Sequence, residues 1–232
     1  MKMANVEYDP EMSEFSARLY LITPMIDDTA AFAPRLTAAL EAGDVACLLL
    51  RTNAHDERAS TQIARALVAT VQAHGTALLV QGDTRLASYV DADGVHVEGG
   101  GDDLAQAIRS MKPSRIVGVG GLASRDDAML AGESGADYLM FGEAARGRND
   151  PPSLEDRLDR VSWWAEIFQV PCVACAYALD EVETLAAAGA EFVALAEAVW
   201  DDPRGPAAAV RDALSALETG GARYQAKGLE PN

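Results

Sequence analysis

The sequence predicts one parallel α/β barrel of eight strand–helix units, and three observations carry that prediction. A helical run that ends on Gly or Asp and is followed by a short apolar stretch recurs along the chain. The apolar stretches show no polar alternation, the pattern of parallel strands covered on both faces. The length, 232 residues, suits one barrel, since this architecture uses about 250 residues. Strands alternating with helices imply right-handed crossovers. Eight such units point to closure, with an open doubly wound sheet as the alternative.

In chain order, the first strand is expected at 19–22, in Leu19-Tyr20-Leu21-Ile22. A helix at 30–42 ends on Gly43-Asp44, whose turn chemistry releases the second strand at 45–50. A helix at 57–74 ends at His74-Gly75 and leads to a strand at 77–80. The looser copy Ser88-Tyr89-Val90-Asp91-Ala92-Asp93 feeds a strand at 94–97, and a fifth follows at 116–119. Leu130-Ala131-Gly132-Glu133-Ser134-Gly135 precedes the sixth at 138–141. The seventh, at 173–175, follows Pro171, and a helix at 182–188 ending on Gly189 gives the eighth at 192–196. The barrel therefore spans 18–217. Residues 1–17 read as a polar N-terminal extension and 218–232 as a mobile C-terminal tail.

Cys172 and Cys175 form C-x-x-C within the seventh strand. Residues three apart on a strand are about 10 Å apart and face opposite ways, beyond disulfide reach. Both are expected as small core residues. The formal charge of −17 argues against nucleic acid and against an anionic membrane surface. No apolar run reaches the roughly 20 residues that span a bilayer. The first ten residues lack the apolar core of a signal peptide. A cytoplasmic protein with a small-molecule ligand is expected, and a homo-oligomer is compatible with the same reading.

In such a barrel, functional groups gather where strands end and βα loops begin. Those positions are Thr23, Arg51, Gln81-Gly82-Asp83, Glu98-Gly99-Gly100-Gly101, Gly120-Gly121-Leu122, Gly142-Glu143, Ala176-Tyr177 and Glu197. Arg146 and Arg148 follow the sixth strand and are suited either to gripping an anion or to solvation as loop charges. His96, on the fourth strand, either packs inside with a hydrogen-bond partner or faces ligand. His74 reads as a partner for its helix C-terminus and His55 as a surface residue.

Tyr20-Leu21-Ile22-Thr23, Leu49-Leu50-Arg51, Asp93-Gly94-Val95-His96, Ile116-Val117-Gly118-Val119, Gly135-Ala136-Asp137-Tyr138 and Pro171-Cys172-Val173-Ala174 occur in that order. Through this ordered set the chain resembles the thiamin phosphate synthase/TenI family over residues 18–217. The resemblance implies a TIM barrel that binds a thiazole phosphate. In synthase members it also implies a pyrimidine diphosphate with magnesium, and displacement of pyrophosphate when the two join. TenI-type members isomerise the thiazole.

Several motif positions differ from what the resemblance implies. After strand 2 the family's Q-L-R-x-K stands as Leu49-Leu50-Arg51-Thr52-Asn53, and after strand 3 its N-D-R stands as Gln81-Gly82-Asp83. Gly82 replaces a metal aspartate, and Asp83 replaces a cation. The second metal aspartate corresponds to Asp103. One carboxylate holds Mg2+ poorly unless substrate phosphates supply most ligands. Ala176 and Tyr177 stand where paired glycines let backbone N–H groups approach phosphate. Glu197 stands for a small hydroxyl, and a carboxylate about 4 Å from a phosphate charge costs roughly 4 kcal/mol at an effective dielectric near 20. The TenI histidine position is Leu122.

The expected function is a divergent barrel in or near thiamin metabolism, with ligand contacts drawn from Arg51, Gln81, His96, Glu98, Gly120, Gly142, Arg146, Arg148, Tyr177 and Glu197. Synthase activity is expected to be weak or absent. The alternatives are a non-catalytic ligand sensor or partner protein, and an enzyme that uses Asp83, Glu98, Glu143 and Glu197 as acid–base groups.

Overall fold

In the computed structural model, residues 16–51, 56–143 and 152–228 are described. Eight parallel strands close in sequence order into a barrel, β8 pairing back to β1. The strands are β1 Arg18–Ile22, β2 Val45–Leu50, β3 Ala77–Gln81, β4 Gly94–Glu98, β5 Ile116–Gly120, β6 Tyr138–Phe141, β7 Cys172–Ala176 and β8 Phe192–Leu195. Each lies where the apolar stretches placed it, to within a residue or two at the ends, the margin within which helix and strand boundaries are ordinarily drawn.

Helices α1 Thr29–Leu40, α2 Glu57–Ala73, α3 Thr84–Tyr89, α4 Asp102–Met111, α5 Arg125–Glu133, α6 Leu154–Ile167 and α7 Val182–Ala186 form the crossovers. After β8 come α8 Glu197–Trp200 and α9 Pro206–Gly228. Local chemistry starts several of them. Asp28, Asp56 and Asp83 accept hydrogen bonds from first-turn N–H groups of α1, α2 and α3. Ser124 with Asp127, and Ser153 with Asp156, form capping boxes on α5 and α6.

Strand parity sorts the interior into two layers. Leu19 and Leu21, Leu48 and Leu50, Val95 and Val97, and Val193 and Leu195 point outward and pack under the helices. Tyr20, Cys47, Leu49, Leu79, Tyr138, Met140, Val173, Cys175 and Ala194 fill the barrel. Cys172 and Cys175 thus face opposite layers, and Cys47, Cys172 and Cys175 are all buried free thiols. Burial raises the thiol pKa of all three.

Two sequence expectations change here. Residues 218–228, read as part of a tail, continue α9, so Leu217 is not an element boundary. Asp83, read as a mouth carboxylate, caps α3 through the N–H groups of Arg85 and Leu86. A helix start follows β3 at once and takes the side chain as its cap. No helix among the described residues is long and apolar enough to cross a membrane.

Candidate functional site

The strand ends assemble a mouth from residues far apart in the chain. At β1 and β2, Thr23 is buried and its Oγ1 accepts the N–H of Arg51 at 3.0 Å. The Arg51 guanidinium donates to Glu197 Oε1 at 2.8 Å, joining the ends of β2 and β8. Partial burial works to raise the Glu197 pKa. Its own backbone N–H and the Arg51 guanidinium outweigh that and hold it below the usual carboxylate range. Glu197 is therefore a paired carboxylate at the start of α8, not the lone repulsive charge expected from the sequence. Arg51, 146 residues away in sequence, could not be seen as its partner.

Across β3 and β4, Gln81 Nε2 donates to Glu98 Oε1 at 2.6 Å. Gly99 N–H reaches the Gly120 carbonyl at 2.7 Å and ties the β4 and β5 loops together.

Below this rim lies a buried polar chain. His96 is 0% exposed. Its Nε2 lies 3.1 Å from Glu143 Oε2, and its Nδ1 lies 2.8 Å from the Tyr138 hydroxyl. The Tyr138 hydroxyl lies 2.9 Å from that of Tyr20. The imidazole stacks on the Tyr138 ring at 5.6 Å between centroids. Burial raises both phenol pKa values well above their ordinary range, so both keep their protons. With Nε2–H donating to the Glu143 carboxylate, Nδ1 accepts from Tyr138, and Tyr138 accepts from Tyr20. This is one order that satisfies each buried atom, since either hydroxyl can donate and the imidazole roles depend on its tautomer.

Two glycines on β5 make the chain possible. A Cβ on Gly118 would stand 1.9 Å from the Tyr138 ring, and one on Gly120 would stand 1.6 Å from Glu143 Oε2. His96 is an interior residue with Tyr138 and Glu143 as hydrogen-bond partners. It also reaches the mouth through Glu143.

At β6 and β7 the Tyr177 hydroxyl donates to the Gly142 carbonyl, and its ring lies 4.0 Å from the Arg157 guanidinium carbon. Tyr177 is 44% exposed, so it overlies the rim instead of filling the interior. Arg157, 1% exposed, donates to the Cys175 carbonyl at 2.6 Å and grips Glu181 through both terminal nitrogens at 2.8 and 2.9 Å. Neither Arg157 nor Glu181 was selected from sequence, since an arginine on α6 and a glutamate in the 3-10 turn Leu179–Glu181 look like surface charges. Tyr20 and Tyr138 were also passed over. Their strand parity with His96 was the signal that could have found them.

A recess of about 350 Å3 opens beside Arg51, lined by Met25, Ile26, Thr29, Asp56 and Ser60 among others. That size is within the range of small-molecule sites. Asp103 lies exposed in the first turn of α4. Among the described residues no three His, Cys, Asp or Glu side chains converge as a metal site requires. Arg146, Arg148 and His55 lie outside the described residues.

The profile of the thiamine monophosphate synthase family matches residues 19–199. The thiamine-phosphate synthase of Rhodospirillum centenum is 42% identical over 197 residues, covering 84% of this chain and 95% of that protein. The thiamine-phosphate synthase of Hyphomonas neptunium is 38% identical over 210 residues, covering 86% of this chain and 93% of its own. Among solved structures, thiamine phosphate pyrophosphorylase from Pyrococcus furiosus superposes with a TM-score of 0.74 at 22% identity, over 89% of this chain and 98% of that one. By the extent of the profile match and of these relatives, the chain belongs to the thiamine monophosphate synthase family.

Proposed function

We propose that this barrel serves thiamin metabolism by binding thiazole and pyrimidine ligands at its strand C-termini, with weak condensing activity. Family membership supports the pathway, and the thiazole and pyrimidine ligands are what the sequence resemblance implies. One observation carries the reading of weak activity. Arg51 at the mouth is bonded to a carboxylate of the same chain, Glu197, and Arg157, buried behind the rim, is likewise held by Glu181. A phosphate entering there must first displace an internal carboxylate, and it gains less than it would from an unpaired guanidinium. Gly82 and the Asp83 cap add to this, because neither offers the metal carboxylate or the cation that the family pattern has there.

The test is a coupled assay of thiamin phosphate formation from thiazole phosphate and pyrimidine diphosphate, with magnesium. The Rhodospirillum centenum relative is assayed alongside. The expected rate is at least tenfold below that relative, and a rate within tenfold of it overturns the reading. The rival reading of a ligand sensor predicts binding of the same ligands with no turnover.

A further inference from the structure

The base of the barrel, opposite the mouth, repeats one arrangement three times. Immediately before β4, β6 and β8 the chain reads Asp91-Ala92-Asp93, Gly135-Ala136-Asp137 and Gly189-Ala190-Glu191. In each, the first residue has a positive φ, at 58°, 94° and 101°. The alanine is buried in the layer under the helices, and the third residue is a carboxylate. The left-handed step turns the chain sharply, so that the alanine goes under and the carboxylate arrives at the foot of the preceding odd strand.

There each carboxylate takes a backbone amide. Leu78 N–H donates to Asp93 Oδ2, Val117 N–H to Asp137 Oδ2 and Cys172 N–H to Glu191 Oε2, all at 2.8 Å. Two of the bonds are returned: Asp93 N–H reaches the Leu78 carbonyl at 2.9 Å, and Asp137 N–H the Val117 carbonyl at 2.8 Å. The Glu191 carbonyl accepts from Arg18 N–H at 2.9 Å, so this residue joins β7 and β1. The unit before β2 lacks the left-handed step, and Asp44 holds the Arg18 guanidinium instead, at 3.0 Å.

Leu78, Val117 and Cys172 are all 0% exposed, so each amide needs an acceptor. The carboxylate serves only in the observed register, in which Leu79 faces Gly94, Gly118 faces Tyr138 and Val173 faces Phe192. A slip of one residue carries the oxygen about 3.3 Å away and strands a buried donor. The β5–β6 ladder is the shortest of the three, running through Gly118–Tyr138 and Val119–Leu139. It is also the one that places Tyr138, whose hydroxyl meets His96 at 2.8 Å.

We propose that Asp93, Asp137 and Glu191 are register keys, each locking one even strand to the odd strand before it, and that Asp137 is the positioning residue for Tyr138 beside His96. The acceptor oxygen carries the role. Lys112 also pairs with Asp137, and Asp137→Asn removes that charge pair while keeping an oxygen for the Val117 amide.

Amide hydrogen exchange on the full chain, read residue by residue by NMR, tests this. Asp137→Ala is expected to speed exchange at Val117 at least tenfold while Leu78 and Cys172 keep their wild-type rates. Asp137→Asn should stay within threefold of wild type at Val117. Asp93→Ala should act in the same way at Leu78 and Glu191→Ala at Cys172, whereas Asp44→Ala should speed none of the three. The ring nitrogen shifts of His96 should move in Asp137→Ala and hold in Glu191→Ala, which a general loss of stability does not produce. Wild-type exchange at Val117 in Asp137→Ala, an equal rise at all three amides, a rise in Asp137→Asn as large as in Asp137→Ala, or unmoved His96 shifts in Asp137→Ala overturns the inference. If Asp137→Ala does not fold, Asp93→Ala and its Leu78 amide decide.

Discussion

Arg51 and Glu197 neutralise each other across the mouth, and this changes what removing either should do. If Glu197 were unpaired, its loss would relieve a repulsion. Because it is bonded to Arg51 at 2.8 Å, Glu197→Ser instead frees a guanidinium at the barrel's edge. Thiazole phosphate affinity is then expected to rise by about tenfold, equivalent to ~1.4 kcal/mol. Glu197→Gln should give a smaller rise, because the amide still occupies the guanidinium. In a double variant with Arg51→Leu the gain should vanish. Calorimetry on the three variants measures this, and an equal gain without Arg51 would show that the repulsion account was the correct one. Fold stability should change little, since a partly exposed ion pair contributes only about 0.2–1 kcal/mol.

At the scale of elements, Arg157 is the joint between α6, β7 and the turn before α7. It donates to Ser153 and Cys175 carbonyls and to the Glu181 carboxylate, and it carries Tyr177 on its face. Truncating one member of a buried pair leaves the other desolvated without a partner, at a cost of about 3–5 kcal/mol. Arg157→Ala should therefore lower the denaturant midpoint far more than Arg51→Ala, an exposed comparison. Acid should reveal the same joint. Glu181 is held below the usual glutamate range by the Arg157 hydrogen bonds first, against the opposing effect of burial. A depressed carboxylate pKa contributes stability that is complete above the unfolded value, about 4.3. That stability fades as pH falls through the lower folded value. Denaturant midpoints measured between about pH 2 and 6 should drop more steeply at the acid end in the wild type than in Glu181→Gln. Parallel curves would separate Glu181 from acid stability. None of this was legible in the sequence. A strand declares itself by an apolar run, because burial on both faces is a local demand. A pair 24 residues apart, such as Arg157 and Glu181, depends on where β7 sets its carbonyl. The same limit hid Arg51 from Glu197, whereas the interior parity of Tyr20, His96 and Tyr138 was readable once the strands were in place.

At the scale of the whole molecule, the closed barrel was legible because every unit repeats the same solution, but the end of the chain was misread for a physical reason. Glu218-Thr219-Gly220-Gly221 lowers helix propensity by about 1 kcal/mol per glycine, which reads as a helix end. Packing overrides it. A Cβ at Gly220 would stand 2.4 Å from the Glu183 carbonyl, so the glycine lets α9 lie directly against α7. Beyond it, Arg223 pairs with Glu183, the Tyr224 ring abuts Gly189, and Lys227 donates to the Ala187 carbonyl at 3.1 Å. Ala209, Val210, Ala213 and Leu217 bury the preceding turns. The last part of α9 is thus a clamp on the helix that leads into β8, the strand that closes the barrel on β1. A chain ending at Leu217 should lose about 5 °C or more in Tm, given that 1 kcal/mol shifts a domain of this size by about 2–4 °C. A chain ending at Gly228 should match the full-length protein. Trypsin offers an independent check, since Arg223 and Lys227 lie on the docked segment. Cleavage there should be slow in the native protein and should speed up when Gly220→Leu forces α9 away from α7. Unchanged melting of the 217-residue chain, with rapid cleavage at Arg223 in the native protein, would mean that α9 does not clamp α7 and that the barrel closes without it.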